Sequence, residues 1–358
     1  MFEMALDRRA LLECVGATVV AATVTQTVAA DEESADDPPS YSRWMTPDEA
    51  GSIAFAYLDW ARIEALATGG SRDPEAVEED ESDAVRNDPM HAYPMVGLET
   101  VVLVLGQAVT RYGLAGLVGA GDPGRPDELA SKAERILVTP DVLVAEGTIL
   151  PGEIGDRLTR DPVTAAPTGM ERADDIGAYD VYTDDEIAVA VADDGVLFEL
   201  GSGGPAGSTT TLESAIDARH GDVDRAVDVS ESVAWLTGTA GHGHVAVGTY
   251  RDPGAVVDEP GEGGGANDTN VEALADATGL VSSITYEDVE TANGSLAAIV
   301  PEPDVGALEA SVGSSADERS IDVDGELVSA TASWADADPG TPSNADPLAG
   351  KRTGFYPV

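Results

Sequence analysis

The sequence predicts an α+β fold built on antiparallel sheet. Two observations carry this: β-type and helix-type apolar patterns alternate from residue 136 onward, and their order of strand, helix, strand, strand, helix, strand occurs twice. A third observation makes real cores expected: 42% of the 358 residues are hydrophobic and only 24% charged, too much apolar material for a disordered chain.

The folded part is expected to begin at Tyr41-Ser42-Arg43-Trp44, after an acidic, proline-containing linker. Ile53 to Leu58 reads as a buried strand leading into a short helix with Ile63 and Leu66, and Gly69 to Pro89 as an acidic loop. Pro94 to Gly119 carries a broad apolar set interrupted by Glu99, Gln107 and Arg111, which suits a core helix better than a membrane span. Gly119-Ala120-Gly121-Asp122-Pro123-Gly124 fits a dinucleotide-binding pattern by letter, but it follows a helix and contains proline, so it reads as a helix stop.

The first pass of the repeated order runs through Val142–Ile149, the helix Gly152–Leu158, Ala178–Tyr182, a hairpin Ile187–Leu200 turning near Asp194-Gly195, and the helix Leu212–Arg219. The second runs through His244–Tyr250, Val271–Ala277 (helix), Val281–Val289, Leu296–Val300, Val305–Val312 (helix) and a hairpin Ser320–Trp334 turning at Asp324-Gly325. Val144-Ala145-Glu146-Gly147-Thr148 matches Val245-Ala246-Val247-Gly248-Thr249, and Tyr179-Asp180 falls at the place of Tyr286-Glu287, which suggests duplication. The order is that of ferredoxin-like folds. The expected architecture is therefore two ferredoxin-like units of antiparallel sheet with helices on one face. The domain reading is residues 1–30 as a signal or anchor segment, 31–40 as linker, 41–225 and 226–337 as the two α+β domains, and 338–358 as a flexible tail.

Charge excludes several function classes. With 19 basic against 67 acidic residues the net charge is −48, spread along the chain, and Lys132 and Lys351 are its only lysines. Nucleic acid and anionic lipid would repel such a surface. At about 1 M salt the Debye length shrinks to about 3 Å and the self-repulsion is screened. Few lysines, arginine as the usual cation, few aromatics and abundant Asp, Ala, Val and Gly resemble the proteins of halophilic archaea.

The N-terminus reads as an address. Arg8-Arg9-Ala10-Leu11-Leu12 precedes a modest apolar run, then Val28-Ala29-Ala30 and an abrupt acidic start at Asp31. Arg8 and Arg9 with this order resemble a twin-arginine export signal, although Asp7 stands where a hydroxyl residue is usual. The resemblance implies an extracellular or cell-surface location, or membrane attachment through residues 10–30 if the segment is not cleaved. Cys14, the single cysteine, precedes the apolar core and so does not suit lipidation; it also rules out a disulfide framework or a cysteine-based zinc site. Asn267 and Asn293 begin glycosylation sequons that acquire meaning outside the cell. The whole arrangement resembles exported proteins of halophilic archaea that carry no assigned activity.

Candidate chemistry is sparse. His242-Gly243-His244 with His220 is the only histidine cluster and the one candidate metal site, but no helical ligand spacing completes it, and His220-Gly221 suits a helix C-terminus. The glycine-rich stretch 201–209 lacks the lysine of a phosphate loop, and Thr210-Thr211-Leu212-Glu213 reads as a capping box. Asp252 to Asn270 offers carboxylates without a calcium-loop order, and no serine stands in a nucleophile elbow. No cofactor is expected, and the partner is an unknown envelope or extracellular one. The expected function is that of an exported non-catalytic cell-envelope or secreted protein with a structural or binding role; the alternative is an exported metal-dependent enzyme using His220, His242 and His244.

Overall fold

The computed structural model describes residues 38–69, 88–119, 129–160, 169–184, 187–200, 209–251, 272–288 and 291–335. The twin-arginine segment, most of the acidic linker and the tail lie outside the described residues.

Strands β1 (Ile53–Asp59), β2 (Lys132–Val138), β3 (Val142–Thr148), β4 (Glu171–Arg172), β5 (Asp180–Thr183), β6 (Ala188–Ala192), β7 (Gly195–Glu199), β8 (Val245–Tyr250), β9 (Gly279–Tyr286), β10 (Thr291–Ile299), β11 (Glu318–Asp324) and β12 (Leu327–Ala335) form one sheet. Its order is β11-β12-β10-β9-β8-β1-β2-β3-β7-β6-β5-β4, and the pairs between named strands are antiparallel. The α+β class with antiparallel sheet is as expected. The two expected sheets are one, because β1 and β8 pair over their length, with Ile53 opposite Tyr250 and Leu58 opposite Val245.

That seam is a centre of near symmetry. Outward from it on either side comes a three-strand meander (β1-β2-β3 or β8-β9-β10), then a short helix, then returning strands whose last member, β7 or β12, pairs with the third meander strand. The helices are α3 (Pro151–Leu158) and α7 (Val305–Ser311). Similar residues stand near these joints: Ile149-Leu150-Pro151 leads from β3 into α3, and Ile299-Val300-Pro301 ends β10 and precedes α7, while Ile154-Gly155 and Val305-Gly306 lie in the helices. This places β8 opposite β1 and β3 opposite β10 in the two halves, a different alignment from the Val144/Val245 match in the sequence.

Helices cover both faces, where the sequence suggested one. Residues of β1 alternate between two cores: Ala56 and Leu58 join one, Ile53, Phe55 and Tyr57 the other. A sheet buried on both sides reads as a nearly continuous apolar run, which is what Ile53 to Leu58 is. The first core is closed by α1 (Trp60–Gly69), α2 (Pro89–Arg111), α3 and α7, and the second by α4 (Thr210–His220), α5 (Ala226–Val229) and α6 (Glu231–Ala240).

Helix α2 is long and apolar enough to cross a membrane by length and composition, with a mean hydropathy of 1.5. It lies against β1, β8 and β9, and Gly97 lets it approach the sheet: a Cβ there would stand 2.9 Å from Cβ of Val247. It starts earlier than the pattern suggests because Asp88 caps it, accepting from Met90 N at 3.1 Å, with Pro89 in the first turn. The sheet edges are blunted, β4 by its two-residue length and β11 by exposed Glu318, Arg319 and Asp324.

Candidate functional site

The three histidines of the alternative metal site, His220, His242 and His244, are not gathered into a ligand group in the described residues. Among the described residues no three His, Cys, Asp or Glu side chains form a group able to hold a metal ion. His220 is exposed at the end of α4, which stops at Gly221 with φ 80°, the left-handed stop its sequence suggested. His242 and His244 are half-buried ahead of β8. His244 Nδ1 accepts from Tyr286 N at 3.1 Å, which ties the residue ahead of β8 to the end of β9. Burial lowers its pKa below the usual imidazole value, against the pull of Asp59.

Two other sequence candidates have local partners in the fold. Thr209, not Thr210, stands at the N-cap of α4 and makes no side-chain cap; its hydroxyl donates instead to Glu213 Oε1 at 2.8 Å. Asn293 lies inside β10, between Thr285 and Ser333, and donates to Glu287 Oε1 at 2.8 Å. The Asn-Gly pair is tolerated in the strand because the Trp334 indole occupies the space a Gly294 side chain would need, 2.8 Å from its Cβ position. Asn267, Arg8, Arg9 and the glycine-rich stretch 201–208 lie outside the described residues, as does the whole of the carboxylate-rich loop 252–270.

The structure brings together a different site. A cleft of about 120 Å³ opens where the loop before β1, the α5–α6 corner and the end of β8 meet. Its apolar floor is Ala226, Val229 and Val233, with Pro47 at one side; Val229 is 54% exposed. Ser230, the N-cap of α6, and the Tyr250-Arg251 pair supply polar groups.

Local structure fixes each wall. Asp48 Oδ1 accepts from Ala50 N and Ser52 N at 2.8 and 2.7 Å, an Asx turn that holds the loop. Ala226 N donates to Met45 O at 2.9 Å and docks the α5–α6 corner beside it. Arg251 has φ 66°, the only described residue other than glycine with positive φ, a conformation disfavoured for a long side chain. Its Nη1 donates to Ala50 O at 3.0 Å, and its guanidinium lies 5.2 Å above the Tyr250 ring. Hydrogen bonding to Ser232, with smaller help from Arg251 and Ser230, holds the Tyr250 phenol below its usual range despite some burial.

The cleft thus sets small apolar side chains beside one guanidinium and one phenol, on backbone held in a disfavoured form, in a space with room only for a small group. It suits a molecule with a short apolar body and an anionic or hydrogen-bonding head. No pattern in the sequence marks it: its walls come from residues about 200 positions apart, Gly51 and Arg251 among them, and Tyr-Arg-Asp-Pro-Gly reads as an ordinary strand end.

No family model matches the chain, and no curated protein matches it. Among solved structures it is similar to crystal form III of TP0453, with a TM-score of 0.38 and 11% identity over 84% of this chain and 94% of the other. Crystal form IV gives a TM-score of 0.37 and 10% identity over 82% and 92%. At these values neither fold detail nor function is carried across.

Proposed function

We propose that this chain is an exported, non-catalytic binding protein of a halophilic archaeon, working in molar salt at the cell surface or outside the cell. The observation that carries the binding role is the cleft, where Arg251 and Tyr250 present polar groups over the exposed apolar floor of Val229. Export rests on the Arg8-Arg9 segment, and the solvent on a net charge of −48. In the same reading, residues 41–225 and 226–337 are two copies of one α+β unit, fused along β1 and β8; the matched meander, helix and return strands of the two halves support it.

The test is to purify the protein from its native host in high salt, unfold it, and identify small molecules released. A stoichiometric compound released from the native protein, and missing from a Val229→Trp variant whose cleft is filled, is the expected result. Absence of any such compound, or equal release from both proteins, would overturn the binding role.

A further inference from the structure

Cations are scarce in this chain, 19 against 67 acidic residues, yet three arginines meet at one corner away from the cleft. The corner joins the 3₁₀ turn Ser40–Trp44, the β2–β3 pair, the β6–β7 turn and the last turn of α4. A bulge between Ala133 and Arg135 sets Arg135 opposite Glu146, a place where bulges commonly re-aim side chains.

Glu146 is 5% exposed. Its Oε1 accepts from Arg43 Nη2 and, at 3.0 Å, from Trp44 Nε1, while Arg135 Nε stands 3.7 Å from Oε2. Arg219 covers the Trp44 ring at 5.0 Å and donates to Asp194 Oδ2. Tyr179 donates to the other Asp194 oxygen at 3.3 Å.

Glu146 and Asp194 thus face three guanidinium groups, and Asp59 of β1 stands paired beside Arg135 on the same face of the sheet, so the corner is close to neutral in a strongly anionic molecule. Each guanidinium has five N–H donors, and few are used here. The Nε atoms of Arg43, Arg135 and Arg219 are buried without a hydrogen-bond partner, while their side chains remain 33%, 39% and 21% exposed. A purely structural knot would bury and fill its donors; these three side chains reach solvent with guanidinium N–H groups to spare. A carboxylate or sulfate can engage the guanidinium fork through two oxygens, whereas spherical chloride cannot, which allows selection even in molar chloride.

We propose that Arg43, Arg135 and Arg219 form an oxyanion-binding site that takes a carboxylate or sulfate group. Equilibrium dialysis of the full chain at constant high sodium chloride tests it with three probes: sulfate, acetate and a glutamate oligomer. Saturable binding of sulfate or acetate identifies a free oxyanion as ligand; binding of the oligomer alone identifies carboxylates presented on a partner chain. Arg135→Gln leaves Glu146 held by Arg43 and Trp44, and is expected to weaken binding at least tenfold while the far-UV spectrum is unchanged. Val229→Trp, in the other site, is expected to leave it intact. No saturable binding of any probe, or equal binding by Arg135→Gln, would reduce the corner to an ion-pair network and overturn the proposal.

Discussion

Arg251 lies across Gly51. Both residues have left-handed backbone, and a Cβ on Gly51 would stand 2.7 Å from Arg251 Nη1, the atom that donates to Ala50 O. Gly51→Ala is therefore expected to cost about 1–2 kcal/mol, from the left-handed strain together with displacement of the guanidinium. Urea unfolding at fixed high salt measures it; a change within about 0.5 kcal/mol, the usual range for surface substitutions, would contradict the pairing.

Asp88 joins two distant segments. Besides Met90 N, its carboxylate accepts from Gly313 N, Ser315 N and Ser315 Oγ at 2.9, 2.9 and 2.7 Å. Asp88→Ala leaves these donors without their acceptor in a fully buried position, and the expected loss is roughly 3–5 kcal/mol. A loss well below about 1 kcal/mol in the same unfolding assay would show that other acceptors replace it.

His244 makes stability depend on pH in a definite sense. Its folded pKa is lowered by burial, so the unfolded state takes up the proton first as pH falls. The stability it contributes is complete above about 6.5, the unfolded value, and is lost as pH falls through the folded value. Protonation at Nδ1 also removes the acceptor for Tyr286 N. Burial raises Glu199, which acts in the opposite sense, so the contrast must come from a variant: His244→Asn keeps an acceptor without titrating. Its urea midpoint should fall less than that of the native protein between pH 8 and pH 5; parallel profiles would contradict this.

The net charge of −48 predicts unfolding on removal of salt. Dialysis from molar to millimolar sodium chloride lengthens the Debye length from about 3 Å to tens of ångströms and exposes the full self-repulsion. Far-UV circular dichroism should collapse, and an unchanged spectrum would contradict the halophilic reading.

Local elements are legible in the sequence where one physical signal dominates. Val142–Ile149, His244–Tyr250 and Val305–Val312 lie within a residue of β3, β8 and α7, because apolar runs bounded by Gly, Pro or Asp leave little choice. β2 is not picked out as a strand, because the bulge near Glu134 breaks its alternation. Asn293-Gly294-Ser295 reads as a loop, since the Trp334 contact that lets it lie in a strand comes from the neighbouring β12. The β1–β8 seam joins residues nearly 200 positions apart, and nothing local encodes such a pairing. The cleft is hidden for the same reason: Arg251 acquires a role only when Gly51 is folded beneath it.

Export with a binding role outside the cytoplasm is the central claim, and the location of the native protein tests it most directly. Intact mass and the N-terminal peptide should be measured for protein from the supernatant, membrane and cytosolic fractions of its host. The account predicts supernatant or envelope material, either beginning near Asp31 or, where the segment is kept as an anchor, membrane-bound with residues 1–30 present. Material confined to the cytosolic fraction with its N-terminus intact would contradict it.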